Sequence, residues 1–185
     1  MLRAFAQVYV HHPDARLVLI GDGPARQSLE ALAAELGITE RVLFTGSLPF
    51  TDVPKYLRAA DLFSFASVTE TQGLVTMEAM AAGLPVVAVD ATGTHDIVEH
   101  GQHGFLVEND PVALADGIRK MLSDPRQMKR FASRVLKKSR EFDIDQQAKQ
   151  LVGVYEQAIR AKQEGRSVVL REKTKEAEEV YQSRN

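Results

Sequence analysis

The sequence contains no cysteine. That removes disulfides, cysteine zinc sites and thiol nucleophiles together, and it is neutral to mildly favourable for a cytoplasmic setting. It also lacks a dominant charge. With 23 Lys and Arg against 25 Asp and Glu the net charge is −2, so no global basic field points to nucleic acid. Long hydrophobic runs are missing too. The most apolar stretch, Ala79 to Val89, is interrupted by Gly83 and Pro85 and is too short to span a bilayer. No signal peptide is visible, because Met1 leads directly into the amphipathic segment Leu2–Val10. What is present is ordinary for a globular protein: 44% hydrophobic and 26% charged residues over 185 positions. That length suits one sizeable domain and is too short for two full nucleotide-binding α/β domains.

Apolar residues at helical spacing over Leu2–Val10, without a start signal ahead of them, read as the tail of a helix whose beginning is missing. An alternation follows. Arg16–Ile20, Val42–Thr45, Leu62–Ser67, Pro85–Val89 and Phe105–Val107 read as strands. Helical segments running to Leu36, over Thr51–Ala60 and over Gly73–Ala82 separate the first four. Short apolar runs without strict alternation predict strands buried on both faces, and the interleaved helices predict right-handed crossovers in a parallel sheet. The fold class is therefore α/β: a Rossmann-like, doubly wound parallel sheet with helices on both faces. After Asp110 only helices are predicted: Pro111–Leu122, Arg126–Glu141, and Ile144 to about Glu164. The domain is expected over 1–164. The charged, weakly patterned stretch 165–185 reads as a flexible tail.

In such a sheet, ligands bind at the carboxyl ends of the strands. The most informative sequence there is SVTETQGLVTMEAMAAGLPVVAV, from Ser67 to Val89. Glu70 falls just past the third strand and Gly73 opens the next helix. The amides of Gly73 to Val75 are then expected as the unpaired donors of a first turn, a place suited to a phosphate. Gly73 carries no side chain, so a diphosphate can approach its backbone closely. Glu78 is the only ionisable residue between Gly73 and Val89. A carboxylate on so apolar a helix needs a hydrogen-bonding partner or solvent. It lies about 7.5 Å along the helix from Gly73, which suits a ribose beyond the phosphates.

Glu70 and Glu78, with seven residues between them in ETQGLVTMEAMAAGLPVVA, resemble the paired-glutamate signature of the retaining GT-B glycosyltransferases of family GT4. LVLIGDGP (17–24), VLFTGSLP (42–49), YLRAADLFSFAS (56–67) and GFLVENDP (104–111) resemble that family in the same order. The likeness runs from Met1 to about Ile159, and TETQGL is similar to some glycolipid-forming members, diacylglycerol glucosyltransferases among them. The resemblance implies the C-terminal, donor-binding half of a GT-B fold with its first strand missing. It implies that Glu70 contacts the donor sugar beside the reacting centre as the catalytic position, and that Gln72, Gly73 and Leu74 offer amides to sugar and diphosphate. It further implies that Glu78 holds the ribose, that the loop at Gly46 and Leu48 lies against the base, and that Gly21 and Gly23 let a neighbouring loop pass close to the nucleotide. The donor would be a UDP- or GDP-linked hexose, used with retention and with neither a dissociable cofactor nor, as a rule, a metal. The family's basic diphosphate-binding element and its acceptor domain do not appear in this sequence. A truncated reading frame and a partner chain carrying the other half both remain open, and the chain alone is expected to be inactive.

Other readings stand beside these. Gly21-Asp22-Gly23-Pro24, taken alone, is a strand-to-helix turn with an acidic cap and Pro in the first turn. Arg26 stands at the third glycine position of a dinucleotide fingerprint, which counts against an NAD enzyme. A non-catalytic nucleotide-binding or partner-docking module is the alternative function. His95, His100 and His103 fall in a Gly-rich turn region without a carboxylate cluster at metal spacing and read as surface histidines. Asp96 is a candidate cap for a short helix after it. Arg126, Lys129, Arg130, Arg134, Lys137, Lys138 and Arg140 form a basic helix face. It reads first as a solvated surface and second as a peripheral contact with the inner face of a membrane.

Overall fold

A computed structural model describes residues 1–166. The tail expected from 165 lies outside the described residues beyond Arg166. The chain divides into two compact units, Met1–Arg140 and a second beginning at Glu141.

The first unit runs α1 (Leu2–His11), β1 (Leu17–Ile20), α2 (Arg26–Glu35), a 3-10 turn (Thr39–Arg41), β2 (Val42–Gly46), α3 (Val53–Ala59) and β3 (Phe63–Phe65). It continues with α4 (Leu74–Ala81), β4 (Val86–Val89), α5 (Thr92–His95), β5 (Gly104–Val107), α6 (Pro111–Ser123) and α7 (Pro125–Ser139). The second unit holds α8 (Ile144–Gln163). Two Asp-Pro pairs set the later helix starts. Asp110 accepts from the amides of Val112 and Ala113 at 2.8 and 2.9 Å, and Asp124 from those of Arg126 and Gln127 at 3.0 and 2.9 Å. In each case the proline fills the first helical position, where no amide donor is needed. Asp143 caps α8 by accepting from the amides of Asp145 and Gln146, with Ile144 in place of a proline at the first position.

Among the described residues the ladders between strands are all parallel, as the alternation of strands and helices requires, and one isolated antiparallel bridge joins Gly21 to Gly46. The ladders fall into two groups: β1 with β2, and β3–β4–β5 in that order. In the second, Val86 to Val89 of β4 pair with Gly104 to Val107 of β5. The expectation that the strands are buried on both faces holds for β4 alone, where all four residues are buried. In β1 the residues alternate, with Val18 and Ile20 exposed, and Leu43 of β2 is exposed beside Val18. A strand is buried twice only where helices cover both its faces, and β1 and β2 are covered on one.

Two apolar cores meet along α1. Ala4 and Val8 pack with Val87, Phe105, Leu114, Ile118, Met121 and Phe131. Leu2 and Phe5 pack with Ala33 and Ile38, against which Leu17, Leu19, Val42 and Phe44 also lie.

Candidate functional site

The turn between β3 and α4 is organised by Glu70. Its Oε1 accepts from the Gln72 amide at 3.0 Å and the Gly73 amide at 2.8 Å. The sequence placed Gly73 inside the helix with a free amide. Instead Gly73 is the cap residue, with φ 67° and ψ 24°, and its amide is taken by Glu70. The helix starts at Leu74, so the first-turn amides belong to Leu74, Val75 and Thr76. Glycine is required here for two reasons: the left-handed conformation, and a lack of space. A Cβ at Gly73 would meet the Gly93 carbonyl oxygen at 2.5 Å and run into Ile97. The β4–α5 segment closes over the turn from the other side, where the Gly93 amide donates to the Glu70 carbonyl at 3.0 Å. Asp96 does not start a helix; it ends α5, which Thr92–His95 form ahead of it.

The amides of Gly73 first and Gln72 second hold the Glu70 carboxyl below its ordinary value of 4.5, desolvation acting weakly the other way. A depressed folded-state pKa contributes stability that is present above the unfolded value and is lost as pH falls through the folded one. An NMR titration of the Glu70 carboxyl should therefore show a midpoint below 4.5. A midpoint at or above that value would contradict these hydrogen bonds.

Glu78 lies further along α4, exposed, where the helix faces α3. It lines a cavity of about 380 Å³ with Phe50, Val53, Pro54, Leu57, Arg58, Ala81 and Ala82. The cavity thus joins one carboxylate and one guanidinium to an apolar wall, and Phe50 at its rim is 80% exposed. Sequence reasoning missed this wall. The apolar spacing of Val53, Tyr56 and Leu57 was visible, but nothing in it told that one face would be left open beside Glu78.

At the ends of β1 and β2 the structure brings Gly21 and Gly46 together. The Gly21 amide donates to the Gly46 carbonyl at 3.1 Å. The acidic cap expected in this turn does not form. Asp22 accepts from the next amide, Gly23, at 2.8 Å and faces Arg26 at 4.0 Å, while α2 starts at Arg26 without a side-chain cap. Arg26 also reaches the Phe44 carbonyl at 3.4 Å, tying the turn to β2. Leu48 is half-buried just beyond. Glu70, Gln72, Gly73 and Leu74 thus form one group, Gly21, Gly23, Gly46 and Leu48 a second, and Glu78 stands with α3. All but Leu74 and Glu78, which lie on α4, sit at the carboxyl ends of strands or in the turns that follow.

The histidines divide. His95 and His100 are exposed, whereas His103 is buried at 8% and its Nδ1 accepts from the Glu99 amide at 3.1 Å. The expectation of three surface histidines fails at His103, because β5 begins beside it and encloses the ring. The three line a cavity of about 420 Å³ with Asp90, Asp96, Glu99 and Lys138. His95 contacts Asp90 at 2.8 Å. Among the described residues no group of three or more histidine and acidic side chains is placed to hold a metal ion. On α7, Phe131 and Val135 turn inward while Arg126, Lys129, Arg130, Arg134 and Lys137 are exposed. No helix among the described residues is long and apolar enough to cross a membrane.

Comparison with known proteins assigns the family. The family model described as "Glycosyl transferases group 1" matches residues 1–138. The D-inositol 3-phosphate glycosyltransferase of Salinispora tropica is 36% identical over 169 residues, 86% of this chain and 35% of that protein. The GDP-mannose-dependent alpha-(1-6)-phosphatidylinositol monomannoside mannosyltransferase of Mycolicibacterium smegmatis is 33% identical over 134 residues, 68% of this chain and 35% of its own. Among solved structures, Anabaena HepE in complex with UDP superposes with a TM-score of 0.76 at 31% identity, over 84% of this chain and 44% of that one. The chain spans less than half the length of each of these relatives. Parallel sheets flanked by helices are the layering of these GT-B neighbours. The family match includes both glutamates and all five strands, and the chain belongs to the group 1 glycosyltransferases.

Proposed function

We propose that this chain is the donor-binding half of a retaining hexosyltransferase that uses a nucleoside-diphosphate sugar. One observation carries the reading: a helix that begins in a Glu70–Gly73 turn and bears a second carboxylate, Glu78, at the rim of an apolar cavity. The three parts suit the three parts of such a donor. First-turn amides and the helix dipole attract a diphosphate. The Glu78 carboxylate accepts hydrogen bonds from vicinal ribose hydroxyls, and the wall around Phe50 receives a base. Glu70 borders the sugar. In the reaction the bond from the anomeric carbon to the diphosphate oxygen breaks, and the bonding electrons leave with the diphosphate. The acceptor hydroxyl forms the new bond on the same face, and its proton passes to the released diphosphate. The α4 amino terminus favours the charge that develops on the leaving group. The reading calls for no cofactor besides the donor. The acceptor site belongs to protein that this chain does not span, so catalysis is expected only when that portion is supplied. Relatives that bind UDP or use GDP-mannose leave both nucleotides in play.

A non-catalytic nucleotide-binding module is the second reading, favoured by the engagement of Glu70 with its own turn. Calorimetry on the purified chain with UDP, UDP-glucose, GDP and GDP-mannose tests the site common to both readings. One nucleotide series should bind, and Glu78→Gln should weaken it about ten-fold while leaving the melting midpoint unchanged. Equal affinity in the variant would remove Glu78 from the ribose. The two readings separate when the complementary portion is added, since only the first then expects sugar transfer.

A further inference from the structure

Charge is spread unevenly along the chain. α7 holds six of the 23 Lys and Arg and none of the 25 Asp and Glu. Its inward side is fixed by Phe131 and Val135, both buried. The side turned to solvent follows from helical spacing. Arg126, Lys129, Arg130, Ser133, Arg134 and Lys137 recur at intervals of three and four residues, and all are exposed. Five cations thus share one stripe about 16 Å long. Nothing in the fold offsets this crowding. Among the described residues none of the five is in an ion pair. Arg126 and Arg130, and Arg130 and Arg134, stand four residues apart, a spacing at which like charges weaken a helix. Arg126 also sits in the first turn, where the helix dipole disfavours a cation. Asp124, two residues ahead of the stripe, is taken up in capping the amides of Arg126 and Gln127.

We propose that this stripe docks the protein on an anionic lipid surface. Charge complementarity selects an anion that meets all five cations at once. The stripe is the outside of a helix, and so is convex. It suits an extended plane of charge rather than a small anion that needs enclosing. It carries no aromatic ring to stack on a base and no exposed amide side chain to read one, which sets nucleic acid second. Leu136, 45% exposed at its edge, is the one apolar side chain there and can rest among headgroups. Because Phe131 and Val135 are held in the interior, α7 cannot turn its apolar side into the bilayer. The contact is therefore one of charge on headgroups. The inference goes beyond the donor-half reading and does not rest on it, since no residue of the stripe belongs to the Glu70 turn or lines the Glu78 cavity.

Co-sedimentation of the full chain with vesicles tests this. The probes are vesicles of phosphatidylcholine alone and vesicles in which about a third of the lipid is phosphatidylglycerol. The chain should bind the anionic vesicles, ignore the neutral ones and be released by high salt, which shortens the reach of charge. Each cation near such a surface raises partitioning about five-fold, so Lys129→Gln, Arg130→Gln and Lys137→Gln together should weaken binding about a hundred-fold. The same change of charge at the exposed Arg3, Lys55 and Lys149 should weaken it far less. Ser133→Glu is the second variant, with Lys129 and Lys137 four residues away on either side. It should cut vesicle binding about five-fold or more while the melting midpoint rises, because crowding is relieved. Equal binding to neutral vesicles, no binding to either, equal loss in the control triple, or binding that survives high salt would overturn the proposal. So would tighter capture of duplex DNA at the same phosphate concentration, which would assign the stripe to nucleic acid. Nucleotide calorimetry on the same variants should match the parent, so this idea and the donor reading can each fail without the other.

Discussion

A Gly104→Ala chain should fail to hold its three-stranded sheet at room temperature. Gly104 pairs with Val86 at the start of the β4–β5 ladder. A Cβ there would overlap the Val86 carbonyl oxygen and lie 2.6 Å from its carbon and 2.8 Å from the Val86 nitrogen. These are backbone atoms of a strand buried on both faces, so none can swing aside as a side chain would. Relief requires the strands to part, which opens the ladder and loosens Val86, Val87 and Phe105 together. A cost above about 4 kcal/mol is expected, a large share of the 5–15 kcal/mol that holds an ordinary domain together. Gly101→Ala is the control. Its φ of 79° carries the left-handed penalty of about 1–2 kcal/mol, but nothing stands within 4 Å of the added carbon. Denaturant unfolding should rank parent, Gly101→Ala and Gly104→Ala in falling order with a wide gap before the last. Similar midpoints for the two variants would show that the β4–β5 approach is looser than described.

Gly73→Ala should remove nucleotide binding at a smaller cost to the fold. The left-handed cap contributes about 1–2 kcal/mol of strain once a Cβ is present. The Gly93 carbonyl, 2.5 Å from that Cβ, must also withdraw. Withdrawal separates α5 from the turn and breaks the bond from the Gly93 amide to the Glu70 carbonyl. The Glu70 carboxylate then loses the geometry that holds the Gln72 and Gly73 amides, and the first turn of α4 no longer presents its donors in register. A fall in stability of about 2–3 kcal/mol is expected, with a loss of nucleotide affinity of about a hundred-fold or more. Calorimetry beside thermal melting separates the two effects. A folded Gly73→Ala chain with parental affinity would show that nucleotide binding does not pass through this turn.

Much of this arrangement was legible in the residues. The strand–helix alternation gave the parallel ladders, and the spacing of Glu70 and Glu78 about a Gly-opened apolar helix marked the turn and the helix that carries them. What could not be read were interactions decided by the third dimension. Glu70 was visible as a loop carboxylate, but not as the acceptor for two amides of its own turn, since any nearby donor would have looked the same on paper. Thr-Gly-Thr-His is too short to display helical periodicity, so α5 was hidden and Asp96 was assigned to the wrong side of it. The Val-rich run of β4 and the Leu-Val-Leu-Ile of β1 look alike in composition. Only the number of covering helices distinguishes a strand buried twice from one buried once. His103 read like its neighbours, because burial beside the start of β5 leaves no trace in the local sequence.

The double membership of α1 also orders events during synthesis. Leu2 and Phe5 find their partners in β1, α2 and β2, which follow closely in the chain, so that core can form early. Ala4 and Val8 must wait for Leu114, Ile118 and Phe131, which leave the ribosome much later. Contacts so distant in sequence form slowly. For that interval the helix sits on one half-sheet with its second apolar face bare, a surface that a chaperone would recognise and that a neighbouring nascent chain could capture.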